Sequence, residues 1–211
     1  MNIQDAMQLI ASFSTANSAK IQTFALAVSD DNQVGGKQLL HSLEQASNTA
    51  LPNDVAVYIQ SACPAQSLSF EAVGHPVELL PANELSWQPE MLVQLTGDLA
   101  KWEKDWLLIA HEGGDPIIVK ASEQGEHSKV YSAMQGMGFW DFAPIADSIG
   151  QFLVCVSAIE YALNFPGLTQ PLDDDFNLAA GAANWLFPFL RQHAGAHYDE
   201  WASVFENYLN Y

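Results

Sequence analysis

The chain has 211 residues, of which 49% are apolar and 11% aromatic, enough for one sizeable core and too hydrophobic for the disordered class. Its 25 aspartates and glutamates stand against 7 lysines and arginines, a formal charge of −18. With no lysine or arginine between Lys37 and Lys101 or between Lys129 and Arg191, it offers little to a phosphate backbone or an anionic lipid surface, which argues against nucleic acid and membrane as partners.

Ile3, Met7, Ile10 and Phe13 recur at helical spacing, as do Ile21, Phe24, Ala25 and Val28 behind an Asn17-Ser18 cap. Asp30-Asp31-Asn32 and Gly35-Gly36 read as an interruption, followed by a short helix with Leu39, Leu40 and Leu43 on one face and a loop at Ser47 to Thr49. Leu51-Pro52-Asn53-Asp54 is a helix start, with Pro52 at the fixed φ that suits it and Val55, Ile59 and Ala62 as the apolar stripe; the helix ends near Cys63-Pro64. The period then shortens to two, and Ser67 to Val73 and Val77 to Leu80 read as strands joined by Gly74-His75-Pro76. Trp106 to Ala110 and Ile117 to Val119 flank Glu112-Gly113-Gly114-Asp115, the clearest hairpin, because glycine reaches the positive φ of a tight reversal. A third strand, Lys129 to Met134, precedes a glycine-relaxed turn at Gly136 to Trp140. Asp147-Ser148 caps a helix carrying Ile149, Phe152, Leu153, Val156, Ile159 and Leu163 on one face, stopped by Pro166-Gly167. Leu172 to Tyr211 reads as two helices, the first behind Asp173-Asp174-Asp175 and interrupted at Pro188, the second striped with Tyr198, Trp201, Val204, Phe205, Tyr208 and Leu209.

These elements predict an α+β fold: a mostly antiparallel sheet packed by helices, with extra N-terminal helices over residues 1–50 and a C-terminal helical hairpin over residues 171–211, packed on a domain spanning 1–170. No apolar run approaches the ~20 residues of a membrane span, and the first 13 residues lack the basic start of a secretory signal. A cytoplasmic location is the expectation. Cys63 and Cys155 have neither CxxC nor Cys/His spacing and read as buried thiols.

The ordered set from Trp106 to Lys120, then Lys129-Val130-Tyr131-Ser132, then Gly136 to Trp140, then Ile145 to Ile149 with Phe152-Leu153, resembles the SUKH superfamily, the family of the yeast cell-wall assembly regulator and its bacterial relatives. Leu51-Pro52-Asn53-Asp54 is similar to that family's Leu-Pro helix start, and the likeness spans roughly residues 51 to 163. Around Ala62-Cys63-Pro64 the family's usual Asn-Gly is replaced, and the tail is long. The resemblance implies an α+β domain without a catalytic centre, and an immunity protein that neutralises a toxin domain. The acidity independently suits a cationic partner, which it attracts at long range.

His111-Glu112 and Asp115 place a histidine and two carboxylates around a turn, which is acid/base chemistry on one reading and ordinary turn chemistry on the other; turn chemistry is preferred. His193 and His197, with Asp199 and Glu200 behind them, have the spacing of two metal ligands on a helix face. Gly195 between them argues for a helix break instead, and the glutamate of HExxH is missing. Asp173 to Asp175 read as an N-cap rather than a calcium loop. Trp140, with Phe139 and Phe142 beside Asp141, is either core or an aromatic interface anchor.

The expectation is a non-catalytic binding protein with no cofactor and no metal. Its partner is a protein, a cationic toxin domain in the leading case, and the contact residues are Glu112, Asp115, Trp140 and Asp141. A regulatory interaction module binding an endogenous partner is the alternative, and a metal-dependent enzyme built on His111 or on His193 and His197 is the third. Homo-oligomerisation is left open.

Overall fold

Six strands follow one another through a single sheet in chain order, each antiparallel to the last, in the computed structural model, which describes residues 1–13, 30–89, 102–123, 125–134 and 139–211. They are β1 (Leu68–Phe70), β2 (Val77–Leu79), β3 (Trp106–Glu112), β4 (Asp115–Lys120), β5 (Val130–Ser132) and β6 (Ala143–Ala146). The central pair is buried on both sides: Leu107 to Ala110 and Ile117 to Val119 lose nearly all contact with solvent. That explains why these runs are continuously apolar and do not alternate.

Residues directly opposite in an antiparallel register share a face. Val77, Leu79, Leu107, Ile117, Val119 and Val130 therefore lie on one side, and Trp106, Leu108, Ile118 and Tyr131 on the other. The first side carries the helices. They are α1 (Ile3–Ala11), α2 (Asp30–Ser47), α3 (Asn53–Ser61), α4 (Ile149–Leu163), α5 (Ala180–His193) and α6 (Tyr198–Ala202).

Thirteen of the fifteen residues of α4 are buried, so it is the middle layer, covered all round. It packs on the sheet through Phe152 and Ile159, and on α1 and α5 elsewhere. Ser148 caps it, accepting from the Gln151 amide at 3.1 Å, and also receives the Met1 ammonium at 3.1 Å while donating to the Met1 carbonyl at 2.9 Å. Gly150 makes that docking feasible, because a Cβ there would lie 2.6 Å from the Met1 carbonyl oxygen. Phe13 closes the far end of α1 against Tyr161, Trp185 and Phe189, with ring centroids 5.1 to 5.7 Å apart.

The α+β architecture and the antiparallel sheet agree with the sequence reading, and several local expectations change. Gly35-Gly36 does not interrupt the second described helix, since α2 runs through it; Gly36 instead lets α2 approach α3, where a Cβ would lie 3.0 Å from the Ile59 carbonyl oxygen. Pro188 does not interrupt α5. A proline inside a helix costs about 3 kcal/mol, but Leu186, Phe187 and Leu190 are fully buried beside it and each contributes roughly 1.5–3 kcal/mol. The packing outweighs the lost amide. Asp173 to Asp175 cap no helix, because α5 starts after Ala179; the Asp173 carboxylate accepts from the Asp175 and Asn177 amides at 3.0 and 2.8 Å and closes its own turn.

The second arm of the C-terminal pair is short, with α6 ending at Ala202 and a single further turn at Tyr208–Asn210. Strand β6 lies where sequence reading saw only a turn leading to a cap. Its Pro144 is tolerated because β6 is an edge strand, whose outer amides need no ladder partner. The expected helix through Ile21 and Val28, and Gly136 to Gly138 of the expected turn, lie outside the described residues. Among the described residues no helix is long and apolar enough to cross a membrane.

Candidate partner-binding cleft

The β3–β4 hairpin ends in the two-residue turn Gly113-Gly114, with φ of +56° and +111°, bracketed by the register pair Glu112 and Asp115. Two successive positive φ values match the twist of the flanking strands, and glycine adopts them without a Cβ clash. Between Leu108 and Ala110 the register shifts by a bulge at Ile109. Without it, alternation from Leu107 would send His111 toward the helices and Glu112 away. With it, Ala110 and Glu112 join Ile117 and Asp115 on the helix side, and His111 joins Pro116 on the other.

Glu112 thereby enters a cleft of about 110 Å³ at the open end of the sheet–helix layer. Its floor is Val77, Ile117, Phe152 and Ile159, and its far wall is Trp201, within α6, and Val204 just after it. Ser132 and Glu200 supply its other polar groups, and no lysine or arginine is among the lining residues. The wall is fixed: the Trp201 indole N–H donates to the Ile145 carbonyl at 2.7 Å, and its ring lies 6.0 Å from that of Phe152. Burial in this apolar surround raises the Glu112 pKa, the Asp115 charge raises it further, and His75, packed over Gly113, opposes both.

Trp140 and Asp141 are not brought to this cleft. Trp140 packs into an aromatic cluster with Trp102 and Phe142, at centroid distances of 5.9 and 6.0 Å, and Phe142 in turn meets Trp106 at 4.7 Å. Trp106 belongs to the opposite side of the sheet. Trp140 is half-buried, Asp141 is exposed beside it, and Phe139 is exposed as well. The four expected contact residues thus form two sets, Glu112 with Asp115 at the hairpin tip and Trp140 with Asp141 elsewhere.

The three histidines singled out in the sequence lie beside different neighbours. His111 Nε2 lies 3.7 Å from a Glu78 carboxylate on the face away from the helices, so it does not share a site with Glu112. His193 and His197 are separated by Gly195 at φ +60°: the His193 ring rests 4.4 Å from Phe189, burial lowering its pKa, while His197 Nε2 meets Asp147 Oδ1 at 3.1 Å. Gln151 completes that junction by accepting from the Asp147 amide at 2.6 Å and donating to the His193 carbonyl at 2.8 Å. Among the described residues no group of three histidine, cysteine or acidic side chains is placed to hold a metal ion. Cys63 and Cys155 are buried; burial pushes the Cys63 thiol up to about 12 and the Cys155 thiol higher still.

Sequence reasoning missed the C-terminal half of the cleft, Glu200, Trp201 and Val204, because no local period connects α6 to a hairpin so distant in the chain. Asp54 was read only as part of a helix start, whereas its carboxylate is buried there at the start of α3. Its Oδ1 accepts from the Ser128 and Val55 amides at 2.9 and 3.0 Å, the Ile149 amide also faces it, and His127 stands 4.0 Å from Oδ2. Burial dominates these contacts and raises its pKa. No family model, no curated protein and no solved structure matches the chain.

Proposed function

We propose that the chain is a non-catalytic binding protein of the immunity type, which neutralises a cationic toxin domain by occupying it. The observation that carries this reading is the preformed apolar cleft rimmed by Glu112 and Glu200, on a molecule of net charge −18. A buried apolar anchor surrounded by charge is the arrangement that gives protein interfaces their affinity, and the surrounding field gives them their association rate. The resemblance to the SUKH superfamily supports the same reading. Glu112 and Asp115 are the contact pair in this proposal, with Asp141 on a separate surface.

The test is protection. Each toxin domain encoded beside the gene is expressed in a sensitive host with and without this chain, and growth is followed. Rescue by this chain, with a complex that weakens as salt rises, is the expected result; equal growth in both arms refutes it. A regulatory module that recruits an endogenous protein is the second reading, favoured by the tail: Phe176, at φ +59°, and Leu209 stand 50% and 78% exposed. A salt-insensitive complex abolished by Phe176→Ala and Leu209→Ala supports that reading instead.

A further inference from the structure

The size of the cleft restricts what it can take. Small-molecule sites occupy about 300–1,000 Å³, and a cavity of roughly 150 Å³ holds one benzene ring. At about 110 Å³, this cleft matches a single aliphatic side chain. Its floor offers such a group only carbon, from Val77, Ile117, Phe152 and Ile159. Val204 at the rim is 39% exposed, so the entrance is already open and requires no rearrangement of α4 or α6.

Charge then selects what flanks that side chain. Glu112 and Glu200 line the mouth, Asp115 lies beside Glu112, and no lysine or arginine is among the described residues that line it. Two copies of a chain carrying −18 repel one another, which disfavours a second copy as the occupant. We infer that the cleft is the anchor pocket for one leucine, isoleucine or methionine of a cationic protein partner, with the lysine or arginine next to it pairing with Glu112 and Glu200. This rests on the binding-protein reading above and adds the partner's recognition element to it. The pocket supplies orientation and a slow off-rate; the acidic surface supplies encounter.

The test titrates isotope-labelled full-length protein with three capped hexapeptides, Gly-Ser-Leu-Arg-Ser-Gly and its versions with serine for leucine or glutamate for arginine. The Leu-Arg peptide should move the methyl signals of Ile117, Ile159 and Val204 saturably, and both control peptides should bind at least about tenfold more weakly, the loss expected when one anchor or its charge partner is removed. Val204→Asp should weaken the Leu-Arg peptide by a similar factor while leaving the thermal midpoint near that of the wild type, since the position is at the rim. Glu112→Gln should weaken the arginine preference alone. Equal binding of all three peptides, or shifts confined to other surfaces, overturns the anchor pocket. The two proposals fail separately: a toxin neutralised equally well by Val204→Asp refutes the pocket and keeps the immunity reading. Saturable Leu-Arg binding by a chain that protects against no toxin keeps the pocket and refutes that reading.

Discussion

Gly150→Ala sets two physical effects against each other with opposite signs. The residue is the second of α4, where alanine is a better helix former than glycine by about 0.8–1 kcal/mol. On propensity alone the variant should gain stability. The added Cβ, however, would lie 2.6 Å from the Met1 carbonyl oxygen and 2.8 Å from that of Asn2, where ordinary contact begins at 3.4 Å. Both neighbours are backbone atoms that cannot rotate aside, so the entry to α1 must retreat by a good part of an ångström. Overpacking of this kind costs about 1–3 kcal/mol. The same retreat stretches the two Met1–Ser148 hydrogen bonds, at 3.1 and 2.9 Å, each with a net value of about 1 kcal/mol. The steric and hydrogen-bond losses exceed the propensity gain, leaving a net destabilisation of roughly 1–3 kcal/mol. For a chain of this size that lowers the midpoint by roughly 3–10 °C. Calorimetry reads the midpoint, and amide exchange locates the damage, with protection lost first in Ile3–Ala11. A midpoint that rises, or one that falls with α1 protection intact, refutes the docking of α1 on Gly150.

Three other outcomes follow from the same structure. Gly113→Ala must hold a side chain at φ +56° and push against His75, whose carbons lie 2.6 to 2.8 Å from the new Cβ; the left-handed conformation costs about 1–2 kcal/mol. The urea midpoint should fall, and adding His75→Ala should recover only the steric part, whereas full recovery would show that the φ carries no cost. Asp54 has a folded pKa raised above its unfolded value by burial, so the stability it contributes is fully present below the unfolded pKa and is lost as pH rises through the folded one. Asp54→Asn lacks this titration, and the midpoint difference, wild type minus variant, should therefore be larger in acid than at neutral pH; a constant or opposite difference across pH 3 to 8 contradicts the burial account. Cys63 and Cys155, 5% and 0% exposed with raised pKa values, should resist a thiol reagent until the chain unfolds, and rapid stoichiometric labelling of the native protein would contradict their burial.

What could be read from the sequence was what short stretches determine by themselves. Gly113-Gly114 dictates its hairpin, Ser148 its cap, and the run from Ile149 to Leu163 its buried helix, because each signal lies within a few residues of its effect. Gly35-Gly36 and Pro188 misled for the complementary reason. Both are poor helix residues in isolation, and only the packing of α2 on α3 and of α5 on α4 makes helix the lower state there. At the site, Glu112 and Asp115 were legible as a turn pair, yet the bulge that aims Glu112 at the helices leaves no mark in the order of apolar residues, since Leu108, Ile109 and Ala110 are all buried. Trp140 was legible as an aromatic in a loop, but its partners Trp102 and Phe142 come from both sides of β3 to β5 in the chain, so which face it serves is decided by topology.

The C-terminal segment settles where core ends and cleft begins. Gly195 turns the chain out of α5, and the Asp147–His197 contact and the Trp201–Ile145 hydrogen bond then pin the short α6 across the junction of β6 and α4. Phe205 is fully buried behind it, whereas Val204, its neighbour in sequence, is left at the rim. A buried carboxylate without a cation is costly, and chains avoid it by pairing the charge or leaving it a path to solvent. Glu112 is half-buried and lines the cleft, which leaves its carboxylate such a path. Glu112 is therefore tolerable in the free protein with its pKa raised by burial, and under the proposed reading a partner's cation seated beside it would favour the charged form that burial opposes.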